Sequence, residues 1–257
     1  MSDMNPPVLV TRDARGVLTI ELNRPAVRNA LLPDMLGDMA DALSESVSDP
    51  AVRVMVLSGA GASFCAGGDA KAAPSDFPAA WAGLTRVLLG LSQCPKPVVA
   101  RVQGHAVGLG CSLALAADFV VAETTTRFHW PFVHMGLVPE GTQLAVRCMP
   151  AAMLRSFALL GDPLTGAALA EAGVIHAAVE SDRLTSTVDG LVDRLITLPA
   201  FGLAAIKRSL EAARRLPLPE SLQWEGEQQQ AIRSSPEFSA FRAAYFARAG
   251  VKVRDGR

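Results

Sequence analysis

Two glycine-bearing segments, Ser63-Phe-Cys-Ala-Gly-Gly-Asp-Ala-Lys71 and Gly104-His-Ala-Val-Gly-Leu-Gly-Cys-Ser112, offer the clearest chemistry in this chain. Each follows an apolar, β-type run, Val52 to Leu57 in the first case and Val98 to Val102 in the second, and each leads toward helix-compatible sequence. Two backbone turns can therefore face one another. Glycine admits positive φ and lets another group approach the main chain closely, so such turns can aim N–H groups at a single oxygen. That arrangement is an oxyanion hole.

Other residues invite other chemistry. Ser58-Gly-Ala-Gly-Ala-Ser-Phe64 follows a strand and begins like a dinucleotide fingerprint, but Phe64 replaces its last glycine and Pro74 interrupts the expected helix. Gly110-Cys-Ser-Leu-Ala114 approximates a hydrolase nucleophile elbow, with alanine in place of the final glycine and no assignable acid and histidine partners. Ser112 can equally pack within a helix. His129 and His134 can line a pocket, shuttle a proton or serve packing; His105 falls in the second glycine turn, and His176 reads as structural. No His, Cys and carboxylate cluster has metal spacing, so no metal is expected.

The elements that must position these segments alternate. Strands are expected near 8–11, 17–22, 52–58, 97–103 and 118–122, with shorter ones near 127–129 and 174–178. Helical spacing of three to four recurs in Leu32, Leu36, Met39 and Leu43 and again in Leu84, Val87, Leu88 and Leu91. Strand–helix alternation argues for an α/β fold with largely parallel sheets. From about 181 the pattern is all-helical: Leu184, Val188, Leu191 and Leu195 form one stripe, followed by Leu203 to Leu210, Ser221 to Ile232 and Phe238 to Ala247. The expected division is thus a core over 1–180 and a helical region over 181–257.

Composition narrows the class. With 257 residues, 50% hydrophobic and 19% charged, the chain can bury a substantial core. A net charge of −1 gives no general attraction for nucleic acid or an anionic membrane surface. Cys65, Cys94, Cys111 and Cys148 are widely spaced without Cys-x-x-Cys, which suggests neither a disulfide framework nor zinc and fits a reducing cytoplasm. The opening Met-Ser-Asp-Met-Asn-Pro-Pro has no basic start or apolar stretch, and no apolar run reaches the roughly 18 residues of a membrane span, so neither secretion nor insertion is expected.

From roughly residue 8 to 248 the chain resembles the crotonase family, also called the enoyl-CoA hydratase/isomerase superfamily. The two glycine segments carry the resemblance, together with Leu22-Asn-Arg-Pro-Ala-Val-Arg-Asn-Ala-Leu31 and Gly136-Leu-Val-Pro-Glu-Gly-Thr142, in the expected order. The resemblance implies a spiral of ββα repeats with a C-terminal helical oligomerisation region, and a homotrimer or dimer of trimers. It implies that the Gly68 and Leu109 N–H groups hold an acyl-CoA thioester oxygen. Coenzyme A enters only as part of that substrate, with no separate cofactor. By position, Val27, Arg28, Ala66, Asp69 and Ala70 are its candidate contacts, and Arg28 and Lys71 can meet phosphates. The basic pair that usually follows the closing helix Phe241-Arg-Ala-Ala-Tyr-Phe-Ala-Arg248 is replaced by Ala249-Gly250.

Two carboxylates of the family's hydratases are missing: their positions hold Ser112 and Phe132, neither a competent acid or base near neutral pH. Glu140 instead resembles the carboxylate used by a subset of Δ3,Δ2-enoyl-CoA isomerases. Moving a double bond requires removing a proton from C2 and returning one to C4, which a single carboxylate can do. Glu140 also stands before a helical stretch, Thr142 to Met149, where an acidic residue suits the N-terminal dipole without catalytic duty. An isomerase is the expectation. Residual hydration, thioester hydrolysis, decarboxylation or dehalogenation on the same scaffold, or an acyl-CoA-binding or scaffolding protein without catalysis, are the alternatives.

Overall fold

In the computed structural model, which describes residues 6–72 and 76–248, the strands are β1 (Val8–Arg12), β2 (Val17–Leu22), β3 (Val54–Gly59), β4 (Val98–Val102), β5 (His105–Val107), β6 (Phe119–Glu123), β7 (Arg127–His129), β8 (Leu164–Thr165) and β9 (Ala177–Val179). Six of them form one sheet in the order β1-β2-β3-β4-β6-β9, and β5-β7-β8 form a second. In the larger sheet β1 pairs antiparallel with β2, and every other ladder is parallel. All six residues of β3 are buried. A parallel strand covered on both faces needs no alternation, which is why Val54 to Leu57 reads as a continuous apolar run.

The helices are α1 (Pro33–Ser48), α2 (Phe77–Gln93), α3 (Leu109–Leu115), α4 (Thr142–Cys148), α5 (Ala151–Arg155), α6 (Gly166–Glu171), α7 (Leu184–Ile196), α8 (Ala200–Ala213), α9 (Leu218–Arg233) and α10 (Pro236–Arg248). Helix α1 starts with Pro33 at its first position, where the missing N–H is no loss, and its stripe Met35, Leu36, Met39, Ala40 and Leu43 is buried. With Leu84, Val87 and Leu91 of α2 it joins the main core, which includes Ile20, Leu22, Met55 and Leu57 from the sheet. At roughly 25 cal/mol per Å2 of apolar surface, burial of this kind dominates the stability of the unit.

The opposite face of the sheet carries Val17, Val54, Val56, Val99 and Val121, which pack with Leu184, Val188, Leu191, Val192 and Leu195 of α7. The first compact unit therefore runs to Ile196 and the second begins at Thr197. The division into compact units thus falls 16 residues beyond the start of the all-helical pattern expected from 181. The all-helical pattern does begin there, but its first stripe belongs to the sheet. Within the second unit, α8, α9 and α10 surround a groove of about 500 Å3 lined by Phe201, Ile206, Leu222, Trp224, Ile232 and Phe241, among others. Phe201 and Phe241 meet edge to face at 5.9 Å. Among the described residues, no helix is long and apolar enough to cross a membrane.

Candidate active site

The first glycine turn is fixed from beneath by Asn29. This residue is fully buried, and its side-chain amide donates to the carbonyls of Ala60 (2.9 Å), Ser63 (2.7 Å) and Phe64 (3.1 Å). Its Oδ1 accepts from Arg24 N–H at 2.8 Å. Arg28 and Asn29 both adopt positive φ, 53° and 58°, in a tight bend after the short helical turn Pro25–Val27. Asparagine tolerates that region better than most residues. Asn29 lies within the Leu22–Leu31 signature, where the only sign of its task is an asparagine in a turn, able to satisfy several carbonyls at once.

The two turns are laced together. Cys65 N–H donates to His105 O and Val107 N–H to Cys65 O, each at 2.9 Å. Gly67 has φ of +92°, and a Cβ there would fall 2.8 Å from Val107 O and 3.6 Å from Leu109 N. Only glycine lets the turns approach so closely. Leu109 heads α3, so its N–H lacks an intrahelical acceptor. Among the described residues, neither the Gly68 nor the Leu109 N–H is used in a backbone hydrogen bond.

The candidate coenzyme A contacts lie on adjacent segments. Ala66 N–H donates to Arg28 O (2.9 Å), Leu31 N–H to Gly67 O (2.8 Å) and Asp69 N–H to Leu31 O (2.9 Å), joining the Val27–Arg28 bend to the stretch that carries Ala66, Asp69, Ala70 and Lys71. Val27, Arg28, Ala70 and Lys71 are exposed. Asp69 has internal duties: it pairs with Arg24 Nη1 at 3.0 Å and accepts from Lys71 N–H at 3.1 Å, and the Arg24 hydrogen bond leads in holding its pKa below the ordinary carboxylate value.

Phe132 and the Gly136–Thr142 segment pack against the second turn and α3. Phe132 approaches the second turn, its Cζ 3.7 Å from where a Cβ on Gly108 would stand, and its ring meets Trp130 edge to face at 6.3 Å. Ser112, fully buried in α3, donates its hydroxyl to the backbone carbonyl of Glu140. The Glu140 side chain has a buried Oε2 without a hydrogen-bond partner. Burial raises its pKa, opposed by a hydrogen bond from its own backbone N–H. An ionised carboxylate so placed is a stronger base than one in water.

The histidines separate. His129 Nε2 donates to Gly161 O at 2.8 Å, which fixes the tautomer with its proton on that nitrogen, and burial leads in lowering its pKa. His105 lies in β5 and its Nδ1 is 3.2 Å from Ser63 Oγ; burial first, then Arg28 and Arg127, lower its pKa. His176 packs edge to face on Phe119 at 5.3 Å, and His134 is exposed. Among the described residues, no group of three or more His, Cys, Asp or Glu could hold a metal ion.

Two glycine turns whose Gly68 and Leu109 N–H groups lie outside the backbone hydrogen bonds, a carboxylate with one buried oxygen and an α/β scaffold are the parts that a class of enzyme stabilising an oxyanion while moving a proton requires. Residues 12–249 match the family model for enoyl-CoA hydratase/isomerase, and the chain belongs to that family, within the crotonase superfamily. It is 33% identical over 244 residues to a 1,2-epoxyphenylacetyl-CoA isomerase of Escherichia coli, covering 91% of this chain and 93% of the relative. It is 32% identical to a 2,3-dehydroadipyl-CoA hydratase of the same organism, covering 84% and 86%. A crystal structure of enoyl-CoA hydratase from Mycobacterium smegmatis superposes with a TM-score of 0.89 at 26% identity, over 95% of this chain and 97% of that one.

Proposed function

We propose that this enzyme is an enoyl-CoA isomerase that moves a double bond from Δ3 to Δ2, with Glu140 as the proton shuttle and the Gly68 and Leu109 N–H groups as the oxyanion hole. Ionised Glu140 takes a proton from C2 of a 3-enoyl-CoA. The C–H electron pair moves into a dienolate whose negative oxygen is held by the two N–H groups. The same carboxyl then returns a proton to C4, and the electrons settle as a C2–C3 double bond conjugated with the thioester. No water is added and no electrons leave the substrate. Val27, Arg28, Ala66, Asp69, Ala70 and Lys71 form the coenzyme A surface.

The observation that carries this reading is the buried, unpartnered oxygen of Glu140, in a pocket where serine and phenylalanine stand at the two glutamate positions of hydratases. The relatives include one named an isomerase, of 1,2-epoxyphenylacetyl-CoA, and one named a hydratase, so the choice rests on these residues. The test offers the purified protein a 3-enoyl-CoA and crotonyl-CoA and follows products by mass spectrometry. Conversion of the first to its conjugated isomer with little 3-hydroxyacyl product from the second is expected. Hydration of crotonyl-CoA at an ordinary enzymatic rate, about 10 per second, overturns it, as does acyl-CoA binding without isomerisation.

A further inference from the structure

We infer that Ser112 is a positioning residue that sets the Glu140 carboxylate relative to the oxyanion hole, and that its small size makes the carboxylate at 140 and a carboxylate at 112 mutually exclusive. The inference rests on the reading of Glu140 as proton shuttle. A buried serine within a helix commonly returns its hydroxyl to the carbonyl four residues back. Ser112 does not; its Oγ leaves α3 and donates to the Glu140 carbonyl. Leu109 and Ser112 are three residues apart on α3, so they share one face of it. One hydrogen bond therefore links the helix that presents an oxyanion donor to the residue that presents the acid/base.

Packing makes the same link steric. Gly141 has φ of +78°, and a Cβ there would fall 3.1 Å from Leu144 Cδ1, 3.2 Å from Ser112 Cβ and 3.4 Å from Leu88 Cδ1. The 140–141 backbone thus lies against the Ser112 side chain, and even a Cβ on Gly141 would press on Ser112 Cβ. A glutamate at 112 adds three heavy atoms beyond the serine's hydroxyl oxygen and removes the donor that holds Glu140. It would drive the 140–141 segment off the helix. The pocket accommodates a carboxylate on α3 or one on this loop, and Ser112 selects the loop.

The experiment is a double-mutant cycle of Ser112→Ala and Glu140→Gln, read as kcat and KM for isomerisation. Ser112→Ala keeps the packing and removes one hydrogen bond, so kcat falls about three- to tenfold with KM unchanged. Glu140→Gln lowers kcat by roughly 100- to 10,000-fold. Adding Ser112→Ala to Glu140→Gln produces no further loss, because the carboxylate it positions is gone. An equal factor in both backgrounds, or parent-like kcat for Ser112→Ala, overturns the inference while leaving the proposed function standing. Full activity of Glu140→Gln removes the proposed function itself. Ser112→Glu, if folded, loses isomerisation without gaining hydration; retained isomerase activity in a folded Ser112→Glu protein also overturns the inference.

Discussion

Gly67→Ala tests whether the close approach of the two turns sets the rate. The substitution places a methyl group at φ of +92°, 2.8 Å from Val107 O and 3.6 Å from Leu109 N. The left-handed backbone costs a non-glycine residue about 1–2 kcal/mol. Relieving contact with an immovable carbonyl adds about 1–3 kcal/mol, typical of an overpacked site. The total of about 2–5 kcal/mol is below the roughly 5–15 kcal/mol that holds most proteins folded, so the variant remains native. Relief requires the turns to separate, which misaligns the Gly68 and Leu109 donors, and loss of one donor slows reaction about 100- to 1,000-fold. Gly173→Ala is the control: φ there is +70° with nothing within 4 Å of the added atom, so only the conformational cost applies. Denaturant unfolding of both variants and kcat for 3-enoyl-CoA isomerisation separate the effects. A folded Gly67→Ala protein with parent-like kcat refutes the reasoning.

Other outcomes follow from the same pocket. Asn29→Asp destabilises more than Asn29→Ala in chemical denaturation, because a carboxylate would face three carbonyl oxygens that now receive N–H donors; each unsatisfied buried group costs about 1–3 kcal/mol. Burial holds the Glu140 pKa above its ordinary 4.5, and the ionised form is the base, so kcat/KM rises with pH through that raised value and then levels off. Stability runs the opposite way: the native state keeps this proton where the unfolded chain has lost it, so the contribution is intact below 4.5 and lost as pH rises through the raised pKa. Melting curves should therefore favour Glu140→Gln over the parent increasingly from acid to neutral pH. Acyl-CoA at about 100 times its dissociation constant adds roughly 2.7 kcal/mol of native stability, seen as a raised Tm that NAD does not reproduce.

The larger sheet was legible because its strands and the stripes of α1, α2 and α7 each persist long enough to show a period. Strand β5 was not: His105–Val107 is three residues long and lies between glycines, so it read as part of a turn. The α7 stripe was visible, but periodicity does not say whether an apolar face meets another helix or a sheet, and here it meets the sheet. At the site, residue types indicated turns and a carboxylate. They could not show that Asn29 gathers three carbonyls, that His129 Nε2 is taken by Gly161 O, or that Ser112 is tied to Glu140, since these partners lie 28 to 35 residues apart.

The valine face covered by α7 also bears on how the chain is made. Val17, Val54, Val56, Val99 and Val121 come from four strands synthesised well before Leu184 to Leu195, the residues that cover them. During synthesis from the N-terminus, a nascent chain that has already paired these strands presents a contiguous, β-branched apolar surface until α7 emerges from the ribosome. Such a surface is a template for self-association. A chain truncated at 180 would carry every residue of the proposed pocket and still aggregate, whereas one ending at Ile196 would keep its first unit soluble.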